Sequence, residues 1–158
     1  MDLFNQLAEI YKEFETSIES KEDYVLFEIK NPHWEENIKV VDDGEIVDGE
    51  KVPTVYFAYQ HAHIYLAWMK LESLFEYIDD IIYGKRVSVE FFIDGQRGFG
   101  GDEHYDKIDF SSGEALLKSF WGENHSPIPY AESAKGCNWR CAIRGWDSSH
   151  NKDINFVL

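Results

Sequence analysis

Cysteine, proline, methionine and positive charge are all scarce in this chain. The 158 residues include two cysteines, four prolines and two methionines. A chain of this length buries roughly 70% of the surface that its unfolded form exposes, so a core forms without disulfides or metals. The cysteines stand as Cys137 and Cys141. Along a strand, positions four apart share a face but lie roughly 13 Å from each other, too far for a bridge. Reduced thiols are expected. No apolar run approaches the ~18 residues of a membrane-spanning helix. Fifteen lysines and arginines face thirty aspartates and glutamates, a formal charge of −15 at pH 7. That field repels nucleic acid and anionic membranes and attracts basic surfaces. Neither nucleic acid nor a membrane is expected as a partner. The opening MDLFNQLAEIYKEFE lacks the basic and apolar regions of a secretory signal, and a cytoplasmic protein is expected.

Signatures of catalysis are missing too. The stretch FFIDGQRGFGGDEHYD (91–106) has four glycines in seven positions, followed at once by Asp102, Glu103 and Asp106. A phosphate loop needs a lysine and then Ser or Thr after its last glycine. Carboxylates at that place oppose an anion, so the stretch is expected to be an Asp94-Gly95 turn followed by a flexible loop. No calcium-loop pattern, nucleophile elbow or zinc-protease motif occurs. His61-Ala62-His63 would point two imidazoles the same way on a strand, as zinc ligands can be. No third ligand stands nearby, and neither a metal nor a cofactor is expected. An enzyme or metal-binding protein using His61, His63 and His104 is the alternative.

What the chain does contain is a mixture of helical and strand patterns. Leu3, Leu7, Ile10, Phe14 and Ile18 have helical spacing, so a helix over 2–19 is predicted, capped by Asp2. Residues 23–30 are β-branched and aromatic and read as strand, which Asn31-Pro32 breaks. Residues 37–59 read as two or three strands with tight turns at Asp43-Gly44 and Asp48-Gly49. A second helix is predicted over 64–86, ending at Gly84, although strand character could extend into its start. Strand follows at 86–95, a short helix from Ser111-Ser112 to Gly122, loop at 124–136, and a terminal hairpin from 138–146 and 153–158. The expected fold is a single α+β domain over residues 1–158, mostly antiparallel sheet, with about three helices on one face.

Acids interleaved with aromatic residues are the most distinctive feature. One acidic cluster is Asp42, Asp43, Glu45, Asp48 and Glu50, expected on exposed turn tips. The other is Asp102, Glu103 and Asp106, with Tyr105 among them, and Trp34 and Trp121 are the candidate aromatic anchors. Protein interfaces favour buried aromatic anchors ringed by complementary charge. In VVDDGEIVDGE and FGGDEHYDKID the chain resembles the immunity proteins with which bacteria neutralise toxic effectors, including those of contact-dependent growth inhibition. The resemblance implies a non-enzymatic protein that binds a cognate toxin, often a basic nuclease. A regulatory domain for another basic protein is a further alternative.

Overall fold

A computed structural model describes residues 2–121 and 132–158, with the backbone alone at Trp121. The predicted loop over 124–136 falls mostly outside the described residues. Among those described, helices α1 (Leu3–Ile10), α2 (Leu71–Ile82) and α3 (Gly113–Trp121) accompany eleven strands. Strands β1 (Thr16–Ser20), β2 (Val25–Ile29), β3 (Ile38–Asp42), β6 (Thr54–Phe57) and β7 (Gln60–His63) form one sheet in the order β1-β2-β3-β6-β7. Strands β8 (Arg86–Ile93), β9 (Gln96–His104), β10 (Asn138–Arg144) and β11 (Lys152–Val157) form a second in the order β11-β10-β8-β9. A two-stranded ribbon joins β4 (Ile46–Val47) to β5 (Glu50–Lys51). Every pairing among them is antiparallel, and the class is α+β, as expected.

Alternation along the strands builds two cores. Phe27 and Ile29 of β2, Ile38 and Val40 of β3, and Val55 and Phe57 of β6 face inward with Leu7 of α1 and Leu74, Ile78 and Ile81 of α2. The second core gathers Val87, Val89 and Phe91 of β8, Trp139, Cys141 and Ile143 of β10, and Leu116 and Leu117 of α3. The helices therefore serve two sheets, rather than standing together on one face.

Several local signals act as expected. The Asp2 carboxylate caps α1 by accepting from the amides of Phe4 and Asn5. Ser112 Oγ accepts from Ala115 N at the start of α3. Gly84 takes the left-handed φ of +71° just past α2. The Asp48-Gly49 turn closes the β4–β5 ribbon and Asp94-Gly95 joins β8 to β9, with positive φ at all four residues. Cys137 and Cys141 are free thiols.

Four local expectations are corrected. The first helix stops at Ile10, and Thr16–Ser20 pairs with β2 instead, placing Ile18 opposite Phe27. Hydrogen bonding to a neighbouring strand outweighs the helical spacing there. The second helix begins only at Leu71 and not at residue 64, because Ile64 N still bonds the Pro53 carbonyl beside β6 and residues 65–69 form a separate turn. Asp43-Gly44 turns the chain, but β3 pairs with β2 and β6 and not with β4. The glycine-rich stretch after Gly95 is strand β9 and not a loop. A Cβ on Gly100 would run into the Glu90 carboxylate and lie 2.5 Å from the Val89 carbonyl oxygen, so glycine permits the close approach of this strand to β8.

Candidate functional site

The outer face of the first sheet carries an uninterrupted row of aromatic rings. Val55 and Phe57 point into the core, so their neighbour Tyr56 points out. Antiparallel register sets His61 opposite Tyr56 and His63 opposite Thr54. Ring centroids then follow one another at 5.5 Å (Tyr56–His61), 5.2 Å (His61–His63), 6.4 Å (His63–Tyr65) and 4.8 Å (Tyr65–Trp68). The last pair is stacked. Tyr56 is 41% and Trp68 67% exposed.

The acidic ribbon meets this row. Asp48 Oδ2 accepts the indole N–H of Trp68 at 2.9 Å. Glu50 borders an open groove of about 660 Å³ beside Trp68, with Leu3, Leu66, Met69 and Leu71 along its floor. Asp43, Glu45, Asp48 and Glu50 are exposed, as their turn positions require. Asp42 is the exception. It is buried, its carboxylate accepting from Gly44 N and pairing with Lys51 at 2.5 Å. An aspartate that ends a central strand is drawn beneath its own turn, so Asp42 leaves the exposed set.

The second acidic cluster is largely committed to the fold. Asp102 accepts from Arg86 Nη1 at 2.5 Å and from the Tyr77 hydroxyl at 3.0 Å, and that hydroxyl accepts from Gln60 Nε2. The chain of bonds joins α2, β7, β8 and β9 across the seam between the sheets. Burial and the adjacent Asp102 carboxylate push the Tyr77 phenol above its ordinary range. Glu103 folds back to accept from His104 N. Tyr105 stacks on His150 at 3.6 Å and accepts from Lys152 Nζ. Only Asp106 among these acids is fully exposed.

The other two anchors divide differently. Trp34 donates its indole N–H to the carbonyls of Gly145 and Trp146 and packs edge-on against Phe57. That makes it a clasp between the first sheet and the end of β10. The Trp121 side chain lies outside the described residues. Sequence reasoning passed over Trp68, Tyr65 and Tyr56, because a helical reading of 64–86 assigned the tryptophan to a buried stripe.

The three histidines of the alternative do not assemble one centre. His104 Nε2 lies 3.0 Å from Arg86 Nη2. A guanidinium only donates, so the imidazole lone pair on Nε2 accepts this bond. Among the described residues no group of three or more His, Cys, Asp or Glu side chains is placed to hold a metal. Glu90, which no motif marked, is fully buried between the sheets and paired with the exposed Arg97, which also donates to the Tyr59 carbonyl. The outer face offers anionic charge, flat rings and an open groove lined by both polar and apolar side chains. No family model, curated protein or solved structure matches this chain.

Proposed function

We propose that this protein is a cytoplasmic immunity protein that neutralises a basic bacterial toxin, a nuclease by preference, by binding it through the acidic and aromatic outer face. One observation carries this: an exposed ring row ending at Trp68 is hydrogen-bonded to a hairpin bearing Asp48 and Glu50, with Asp43 and Glu45 exposed in the segment that leads into it. Trp68 has one face on Tyr65 and its N–H on Asp48, so its orientation is set before a partner arrives. Interfaces concentrate their affinity in such rigid aromatic anchors, while surrounding charge sets the rate of encounter. A nuclease must attract a polyanion, and its active-site surface therefore complements a protein of charge −15.

Surface-based kinetics against the toxin encoded beside this gene tests the proposal, with thermal melts to show that each variant folds. Replacing Asp43, Glu45 and Glu50 by lysine should slow association about tenfold or more at low salt, with less effect at high salt. Trp68→Ala should instead speed dissociation and weaken affinity by about 2 kcal/mol or more. Unchanged kinetics in both variants would remove this face from the interface. Turnover of a substrate dependent on His61 or His63, with no binding to the neighbouring product, would transfer the protein to the enzymes.

A further inference from the structure

His61 and His63 are separated by one residue on β7, an edge strand, and both are exposed. Their rings stand at 87° with centroids 5.2 Å apart. Two imidazoles sharing one tetrahedral ion, with metal–nitrogen bonds of about 2.0–2.1 Å, hold their centroids roughly 5 Å apart. The separation of the two rings thus matches that of joint ligation. His63 Nδ1 lies 3.0 Å from Thr54 Oγ1, and Thr54 is buried at the directly opposed position of β6. With Nδ1–H donating to Thr54 Oγ1, the ring is oriented and Nε2 carries the lone pair that a metal ion needs. The usual outer support of a ligating histidine is a carboxylate, carbonyl or water oxygen that accepts from the far nitrogen and holds the tautomer and the ring plane, and the Thr54 hydroxyl oxygen stands in that place.

We propose that His61 and His63 form a two-histidine site for a late first-row divalent ion, with water in the remaining positions. Imidazole pairs select Cu²⁺, Ni²⁺ and Zn²⁺ over the oxygen-seeking Mg²⁺ and Ca²⁺, and Cu²⁺ binds tightest in the Irving–Williams order. Thr54 is the positioning residue. The pair lies within the ring row proposed to face the toxin, but metal uptake by the free chain requires no partner.

The test uses the full chain and the metal alone. Calorimetric titration should show one equivalent of Cu²⁺, weaker uptake of Ni²⁺ and Zn²⁺, and no competition from millimolar Mg²⁺ or Ca²⁺. His61→Ala and His63→Ala should each weaken Cu²⁺ binding tenfold or more, and His33→Ala should leave it unchanged. Thr54→Val should weaken it about tenfold through loss of the ring's support. Paramagnetic loss of amide signals should centre on residues 56–65. Two outcomes overturn the site: Cu²⁺ uptake that survives the double His61→Ala/His63→Ala variant, or signal loss centred on the carboxylates of residues 43–50. Every variant, above all Thr54→Val at its buried position, is checked by melting, so loss of binding is not mistaken for loss of fold.

Discussion

Glu90 sits in the strand RVSVEFFI with no exposed surface, and one guanidinium, Arg97, meets it. A buried carboxylate is tolerated when charge-assisted hydrogen bonds replace its water. The space it occupies exists because Gly100 opposite has no Cβ. Adjacent Gly101 has open space where its own Cβ would be. Gly100→Ala should therefore destabilise by about 1–3 kcal/mol, as overpacking does. Gly101→Ala should stay within about 0.5 kcal/mol of the parent. Denaturant melts of the two variants decide this, and equal stabilities would mean that β9 does not press on Glu90. Cys141 shows a related effect on a neutral group, since burial pushes its thiol up to about 12.

At the scale of elements, the β6–β7 hairpin determines what the outer face displays. Its two-residue loop is Ala58-Tyr59, and Ala58 holds φ at +51°. The other two-residue hairpin loops, Asp48-Gly49 and Asp94-Gly95, carry Asp-Gly, for which that backbone is easy. An alanine there is strained by its own Cβ. Ala58→Gly should raise stability by about 0.5–1 kcal/mol, because relief of strain exceeds the added freedom of the unfolded chain. A lower melting temperature in that variant would show that the alanine methyl's packing on the first core outweighs the strain. The same unusual loop explains why the hairpin is hard to read from sequence. Without a Gly or Asn signal, residues 64–69 look like the first turns of the helix that begins at Leu71. Similarly, helical spacing from Leu3 to Ile18 is real, but Ile18 serves as a half-exposed strand residue opposite Phe27.

The whole molecule couples two sheets through a polar seam and carries a large excess of one charge. Gln60, Tyr77, Asp102 and Arg86 link the sheets from one side, and Trp34 with Asn31 clasps the backbone of Gly145 and Trp146 from another. A formal charge of −15 acts against any compact arrangement through self-repulsion. Raising NaCl from about 10 to 150 mM shortens the Debye length from about 30 to 8 Å. The melting temperature should rise over that range, and the same salt should slow capture of a basic partner. A melting temperature that falls with added salt would mean that favourable ion pairs outweigh the net repulsion.

Sequence alone determined whatever depends on a few neighbouring residues. Steric freedom at glycine placed the Asp48-Gly49 and Asp94-Gly95 turns, short side-chain acceptors placed the caps at Asp2 and Ser112, and alternation placed β2, β8 and the β10–β11 hairpin. Its charge count also determined the sign of the surface. The acidic hairpin of the candidate site was legible for the same reason, since exposed acids at Gly-containing turns are a local pattern. Tertiary structure alone decided which aromatic residues stand beside those acids. Trp34 became a clasp and Tyr105 a stacking partner of His150, while Tyr56, His61, His63, Tyr65 and Trp68 came into line. That line arises from cross-strand register and from a turn following β7, and a one-residue slip would send every side chain of a strand to the opposite face. Asp42 was buried beneath its own turn beside Lys51, and Glu90 was sealed against Gly100 across the β8–β9 hairpin, placements set by strand register and not by residue type.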